Sequence, residues 1–113
     1  MRDMVDIYIL LTKLGVDKNH MAFRCAAYAA FVALEEKKRL LFSGRDVYPK
    51  IAKHCHVGVM TAKRYLRLAA QIAFCENREL LHSMAGFSLL CRPSPKLFLY
   101  IIASYLENEE KVC

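Results

Sequence analysis

The sequence predicts an all-α fold of about six helices with a central helix-turn-helix, and three observations carry that prediction. Apolar residues recur at helical spacing near the start, as Ile7, Leu11 and Leu14, and near the end, as Leu97, Ile101 and Tyr105. Helix stop and start signals separate the segments, Gly15 closing the first and Ser94-Pro95 opening the last. In between, residues 51–74 alternate inward and outward positions as two helices joined by a short turn require. At 113 residues, 56% of them apolar, the chain suffices for one packed core and not for two, so 1–113 reads as a single domain.

The first helix spans 3–14 and sets Met4, Ile7, Leu11 and Leu14 on one stripe. Gly15 can take the positive φ of a helix-ending residue, after which Val16 folds back onto the last turn. Asn19 reads as the N-cap of a second helix over 20–39. Its centre, CAAYAAFVAL, is small and apolar on most sides, so neighbours can crowd it closely. That stretch without a charge is half the roughly 20 residues a membrane span needs, which makes it a core helix. Arg24 beside it reads as a structural charge, and the EEKKR run as a solvated helix end whose cations suit the dipole.

Ser43-Gly44 breaks the second helix. Asp46 can cap the third, with Pro49 in its first turn, where a missing N–H costs little. That helix runs to about Cys55, 56–58 makes the turn, and the fourth helix covers 59–74. A fifth follows the break at Glu76-Asn77-Arg78, covers 79–84 and stops at Gly86. Residues 87–91 read as a short extended piece. The sixth helix, 96–107, adds Phe98 and Ile102 beside its Leu97, Ile101 and Tyr105 stripe, and the charged tail from about 107 frays.

The central stretch separates its faces sharply. Ile51 and Ala52 turn inward, Val57 plugs the turn, and Gly58 stands as N-cap of the fourth helix. Ala62, Leu66, Ala69 and Ala73 return to the core. On a wheel of about 100° per residue, Met60, Arg64, Arg67 and Gln71 fall in one outer stripe, with Lys63 beside it. Arg64 suits a base edge, because its fork can pair with guanine O6 and N7 in a major groove. Lys63 reaches a base or a phosphate, and Arg67, a turn deeper, a phosphate. Thr61 lies near the helix N-terminus, where backbone N–H groups also favour phosphate. Lys50 and Lys53 on the preceding helix would add backbone contacts. Val59 and Met60 can meet a thymine methyl but read no hydrogen-bond pattern.

Charge supports the same surface. Over 45–67 the cations Arg45, Lys50, Lys53, Lys63, Arg64 and Arg67 stand against a single acid, Asp46, in a chain of net charge +6. Such a bias suits a polyanionic duplex.

Other chemistries are poorly represented. There is no Ser/His/acid or Cys/His catalytic pairing that the sequence can defend and no glycine-rich phosphate loop, so no enzyme, cofactor or small-molecule ligand is expected. Five cysteines without a C-x-x-C pair, and no signal peptide, fit reduced thiols in a cytoplasmic protein. His54-Cys55-His56 invites a metal reading. Consecutive helical residues point apart, however, and no second cluster has zinc spacing, so no metal is expected. Cys55 is more simply a small core residue and His54 a surface one.

Several of these residues also resemble a known family, the C-terminal effector domain of the stage-zero sporulation initiation response regulator. The shared landmarks are Leu14-Gly15-Val16, then Tyr48-Pro49 with Ile51-Ala52-Lys53, then Arg64, Leu66 and Arg67. Ala69, Ala73, Pro93 and Phe98 continue the similarity, which extends from the first helix to Leu106. The resemblance implies an all-helical domain with a helix-turn-helix in its middle, and a transcription factor that binds tandem sites as a head-to-tail pair. By the same resemblance, Arg64 takes a base-reading role and Arg67 a backbone-contacting one. Thr61 replaces a family arginine, Lys63 a glutamate and Leu68 a histidine, so the preferred base at position 63's contact is expected to differ. The family's domain follows a phospho-accepting receiver. If these 113 residues are the whole protein, no receiver in cis controls it.

Two functional readings result. One is a DNA-binding transcriptional regulator that inserts the 59–74 helix in the major groove, as a homodimer or a tandem pair. The other is a protein–protein interaction module on the same fold, which Val59, Met60 and Leu68 favour. A metal or thiol sensor rests only on His54-Cys55-His56 and the free cysteines.

Overall fold

Small residues decide how the helices approach one another. The structure, a computed structural model, describes residues 4–35 and 47–112. Among them are six helices: α1 (Met4–Lys13), α2 (Met21–Glu35), α3 (Val47–Cys55), α4 (Val59–Glu76), α5 (Arg78–Ala85) and α6 (Pro95–Val112). The fold class is therefore all-α, as the periodicity required. α2 is the central element and packs against α1, α3, α4 and α6. Its Ala22, Ala26, Ala27, Ala29, Ala30 and Ala33 are all buried, as are Ala62, Ala69, Ala70 and Ala73 of α4. Alanine carries no side-chain entropy into the core and keeps neighbouring helices close. Leu11, Ile51, Leu66, Phe98 and Ile102 fill the remaining space without exposure. Truncating such a leucine to alanine costs about 2–5 kcal/mol.

Two helices end by one device. At the end of α1, Gly15 has φ 99°, its N–H donates to the Thr12 carbonyl, and the Val16 N–H donates to the Leu11 carbonyl. At the end of α3, His56 has φ 58°, its N–H donates to Lys53, and the Val57 N–H donates to Ala52. Both are Schellman closures, and Val16 and Val57 fold back onto the helix that precedes them. The space at Gly15 is also closed, because a Cβ there would lie 2.6 Å from the Cβ of Glu76.

Several sequence expectations need correction. The cap of α2 is His20 and not Asn19, since His20 Nδ1 accepts the Ala22 N–H at 3.0 Å. Asp17 is the reason: it accepts the N–H of Asn19 on its carboxylate and the N–H of His20 on its carbonyl, which delays the helix by one residue. The extended piece expected at 87–91 is a loop, and no strand occurs among the described residues. Phe87 and Leu90 in it are exposed, so little burial holds the segment against a neighbour. In α6 the buried face is Phe98, Leu99, Ile101, Ile102, Ala103 and Leu106, while Leu97 and Tyr105 are half-buried. That helix packs against α2, α4 and α5 at once, so burial spreads beyond one stripe. It also continues to Val112, past the expected end near 107. The expected end of the second helix near 39, the break at Ser43-Gly44 and the Asp46 cap lie outside the described residues.

The remaining starts follow the sequence signals. Ser94 Oγ accepts the Leu97 N–H at 3.2 Å, with Pro95 as the first helical residue. Asn77 caps α5 by accepting the Leu80 N–H, and its amide donates to the Lys13 carbonyl at 2.8 Å. One side chain thereby satisfies the N-terminus of α5 and the C-terminus of α1. Among the described residues no helix is long and apolar enough to cross a membrane.

Candidate nucleic-acid interface

α3 ends at Cys55 and α4 begins at Val59, so three residues separate the two helices. Ile51, Ala52 and Cys55 of α3 are buried, as are Ala62, Leu66, Ala69 and Ala73 of α4, which sets the inner faces where the spacing put them. Gly58 takes the N-cap position in extended backbone, φ −75° and ψ 162°, with no side-chain hydrogen bond. The first intrahelical bond runs from the Ala62 N–H to the Gly58 carbonyl. The N–H groups of Val59, Met60 and Thr61 therefore point out of the helix end with no intrahelical acceptor, an arrangement that attracts anions.

The outer side of α4 holds Met60, Arg64, Arg67 and Gln71, all exposed. Glu76 at the far end is the helix's only acid. Arg64 has no carboxylate partner among the described residues, so its guanidinium keeps its donors for solvent or a ligand. Lys63 is half-buried and sits with Nζ 5.1 Å from the centre of the Tyr48 ring. Burial pushes the Tyr48 phenol above its ordinary pKa, and the nearby Arg67 guanidinium opposes that shift. Tyr48 thus stays neutral and presents a ring face to Lys63, an attraction worth about 0.5–1 kcal/mol at such a partly exposed site. Thr61 is half-buried in the first turn. Lys50 and Lys53 are exposed on α3. Of the seven residues the sequence singles out, α4 gathers five, and α3 supplies the two lysines.

Two contributors escaped the sequence reading. From sequence Tyr48 reads as core or rim packing, yet its ring faces a cation of the next helix. Arg92, in the loop between α5 and α6, donates from Nη1 to Gln71 Oε1 at 2.6 Å and brings another guanidinium to the α4 surface. Nothing local marks Arg92, because the contact spans 21 residues.

His54, Cys55 and His56 point three ways. The His54 ring stacks on Tyr28 of α2 at 3.8 Å and 3°. Cys55 is buried beside Cys25, and His56 is exposed in the turn. Among the described residues, no group of three or more His, Cys, Asp or Glu side chains is placed to hold a metal ion. Comparison of the chain with protein-family models, curated proteins and solved structures finds no match.

Proposed function

We propose that the protein is a DNA-binding transcriptional regulator domain of the kind its sequence resembles, and that α4 enters the major groove. The observation that supports this reading is the division of α4. Its alanine and leucine face is buried, while Arg64 and Arg67 stand exposed on the opposite side without an acid among them. In this reading Arg64 contacts a base edge and Arg67 a phosphate. Thr61 and the open N–H groups of the first turn meet a second phosphate. Lys63, held against Tyr48, approaches the groove wall, and Lys50 and Lys53 extend the backbone contacts. Binding as a homodimer or a head-to-tail pair on tandem sites belongs to the same proposal.

Selection from a random duplex library with purified protein, at low and near-physiological salt, tests the reading. An enriched motif containing a G·C pair that disappears with Arg64→Ala is the expected result. No retention of duplex at either salt would sink it.

A second reading has its own observation. Met60 is 74% exposed and Val59 39%, so the turn that would enter the groove deepest is apolar. An interaction module would use that patch against another protein. Salt separates the two readings, since log K for a DNA binder falls with log salt at about −0.9 per phosphate contact. A hydrophobic protein contact responds far less.

A further inference from the structure

Away from α4, a cavity of about 650 Å³ lies between α1 and α2 and reaches His54 of α3. Its volume falls within the roughly 300–1,000 Å³ of small-molecule sites. Tyr8, Ile9 and Phe23 form its middle, where the Tyr8 and Phe23 rings meet at 5.4 Å and 46°. Tyr8 remains 45% exposed and Ile9 49%, an apolar surface left to water.

The lining has a polarity that follows from the chain's path. α1 and α2 run back along each other, so Lys13 and Lys18 line one end of the cavity and Met4 and Tyr28 the other. Arg24 lines the cavity as well, and its guanidinium turns back toward Met21 at the start of α2, the end nearer Lys18. Among the described residues no Asp or Glu lines the cavity. Lys13, Lys18 and Arg24 have no carboxylate partner among the described residues; Arg24 makes only a weak 3.9 Å contact to the Met21 sulfur. The structural charge that the sequence suggests at Arg24 is an exposed guanidinium at the mouth of a cavity. From Lys13 to Met4 the groove follows α1 for about 14 Å, at about 1.5 Å per residue.

We infer that this cavity binds a medium-chain fatty-acid carboxylate. The head group lies among Lys13, Lys18 and Arg24, and the chain runs along Tyr8, Ile9 and Phe23 toward Tyr28. Charge complementarity selects an anion, because Lys13, Lys18 and Arg24 all line the cavity and no acid does among the described residues. A carboxylate can share the donors of those side chains, and the apolar run of Tyr8, Ile9, Phe23 and Tyr28 sets a fatty acid apart from a compact phosphate ion. Two helices lying side by side leave a long trough, which an alkyl chain fills better than a bulky ring. The inference does not rest on the DNA-binding reading.

Calorimetric titration of the full chain with octanoate, against neutral 1-octanol, tests it, with amide NMR shifts locating the site. Saturable one-to-one binding of octanoate is expected, with shifts at Tyr8, Phe23 and Arg24. The Lys18→Gln/Arg24→Gln double variant should bind about tenfold more weakly or worse, with an unchanged melting curve, since both residues are exposed. Octanol should likewise bind at least about tenfold more weakly. Equal affinity for octanol, an unaffected double variant, shifts elsewhere or no binding would each overturn the proposal. So would a chain that sediments as a dimer, ignores octanoate and becomes monomeric on Ile9→Lys, because the face would then belong to a second copy.

Discussion

Arg92 Nη1 donates to Gln71 Oε1 at 2.6 Å, two turns along α4 from Arg64. The bond anchors the loop between α5 and α6 to the outer stripe of α4, and the rest of the Arg92 guanidinium remains available. If α4 lies in a groove, Arg92 reaches the sugar–phosphate wall beside it. Arg92→Ala is therefore expected to weaken every duplex to a similar degree and to flatten the salt dependence by about one unit of slope. Fluorescence anisotropy titrations across a salt series measure both quantities. An unchanged slope would remove Arg92 from the interface.

Arg64 and Arg67 should separate by kind of effect. Arg64→Ala is expected to cost about 1–3 kcal/mol on the preferred site and to relax preference at one base pair. Arg67→Ala should weaken all sequences alike and reduce the salt slope by about one. Neither should unfold the domain, as both side chains are exposed. The same titrations on matched and single-mismatch duplexes decide the matter. Equal losses on all sequences for Arg64→Ala would assign it to the backbone instead.

The parts of this structure that sequence could reach are those governed by local periodicity and local chemistry. Ile7, Leu11, Ala62, Leu66, Ala69 and Ala73 repeat at helical spacing, and each is buried. Gly15 and Gly86 end helices by their backbone freedom, and Ser94 begins one by its side-chain oxygen, properties that belong to the residue itself. The His20 cap was hidden because imidazole is an uncommon capping group, and Asp17 decided the start by a turn of its own. The buried face of α6 was hidden because that helix is apolar on several sides, and only its neighbours choose among them. Arg92 and Tyr48 act across the chain, and the α1–α2 cavity exists only once two helices lie together. Such features are tertiary, and no window of sequence contains them.

Stability should fall at alkaline pH for an identifiable reason. Cys25 of α2 is fully buried, and its pKa is pushed up to about 12 by burial and, further, by the neighbouring Cys55 thiol. The native chain therefore holds a proton that the unfolded chain begins to lose near the ordinary thiol pKa of about 8.5. A native pKa above the unfolded one gives stability that is complete below the unfolded value and lost as pH rises toward the native value. Tyr48, also raised by burial, acts with the same sign above the ordinary phenol pKa of about 10. Urea unfolding should give a constant free energy from about pH 7 to 8 and a decline above about pH 9. Cys25→Ala should remove the earlier part of that decline. A slope identical to that of the unmodified chain would show that the Cys25 thiol does not carry it.

The two Schellman closures predict opposite substitutions. His56 occupies at φ 58° a position that glycine takes without strain, and a side chain there costs about 1–2 kcal/mol. Glycine gives back part of that through the freedom of the unfolded chain, about 0.5–1 kcal/mol. His56→Gly is therefore expected to stabilise the domain by about 0.5–1 kcal/mol, a rise of a few degrees in melting temperature. Gly15→Ala meets the reverse case. Its φ of 99° strains any Cβ, and Glu76 Cβ would stand only 2.6 Å away, so α1 must shift against the end of α4. A loss of about 2–3 kcal/mol is expected. Denaturant unfolding of both variants checks the pair. A destabilised His56→Gly would mean that the imidazole holds the turn by a contact of its own, and the shared closure would no longer account for residue 56.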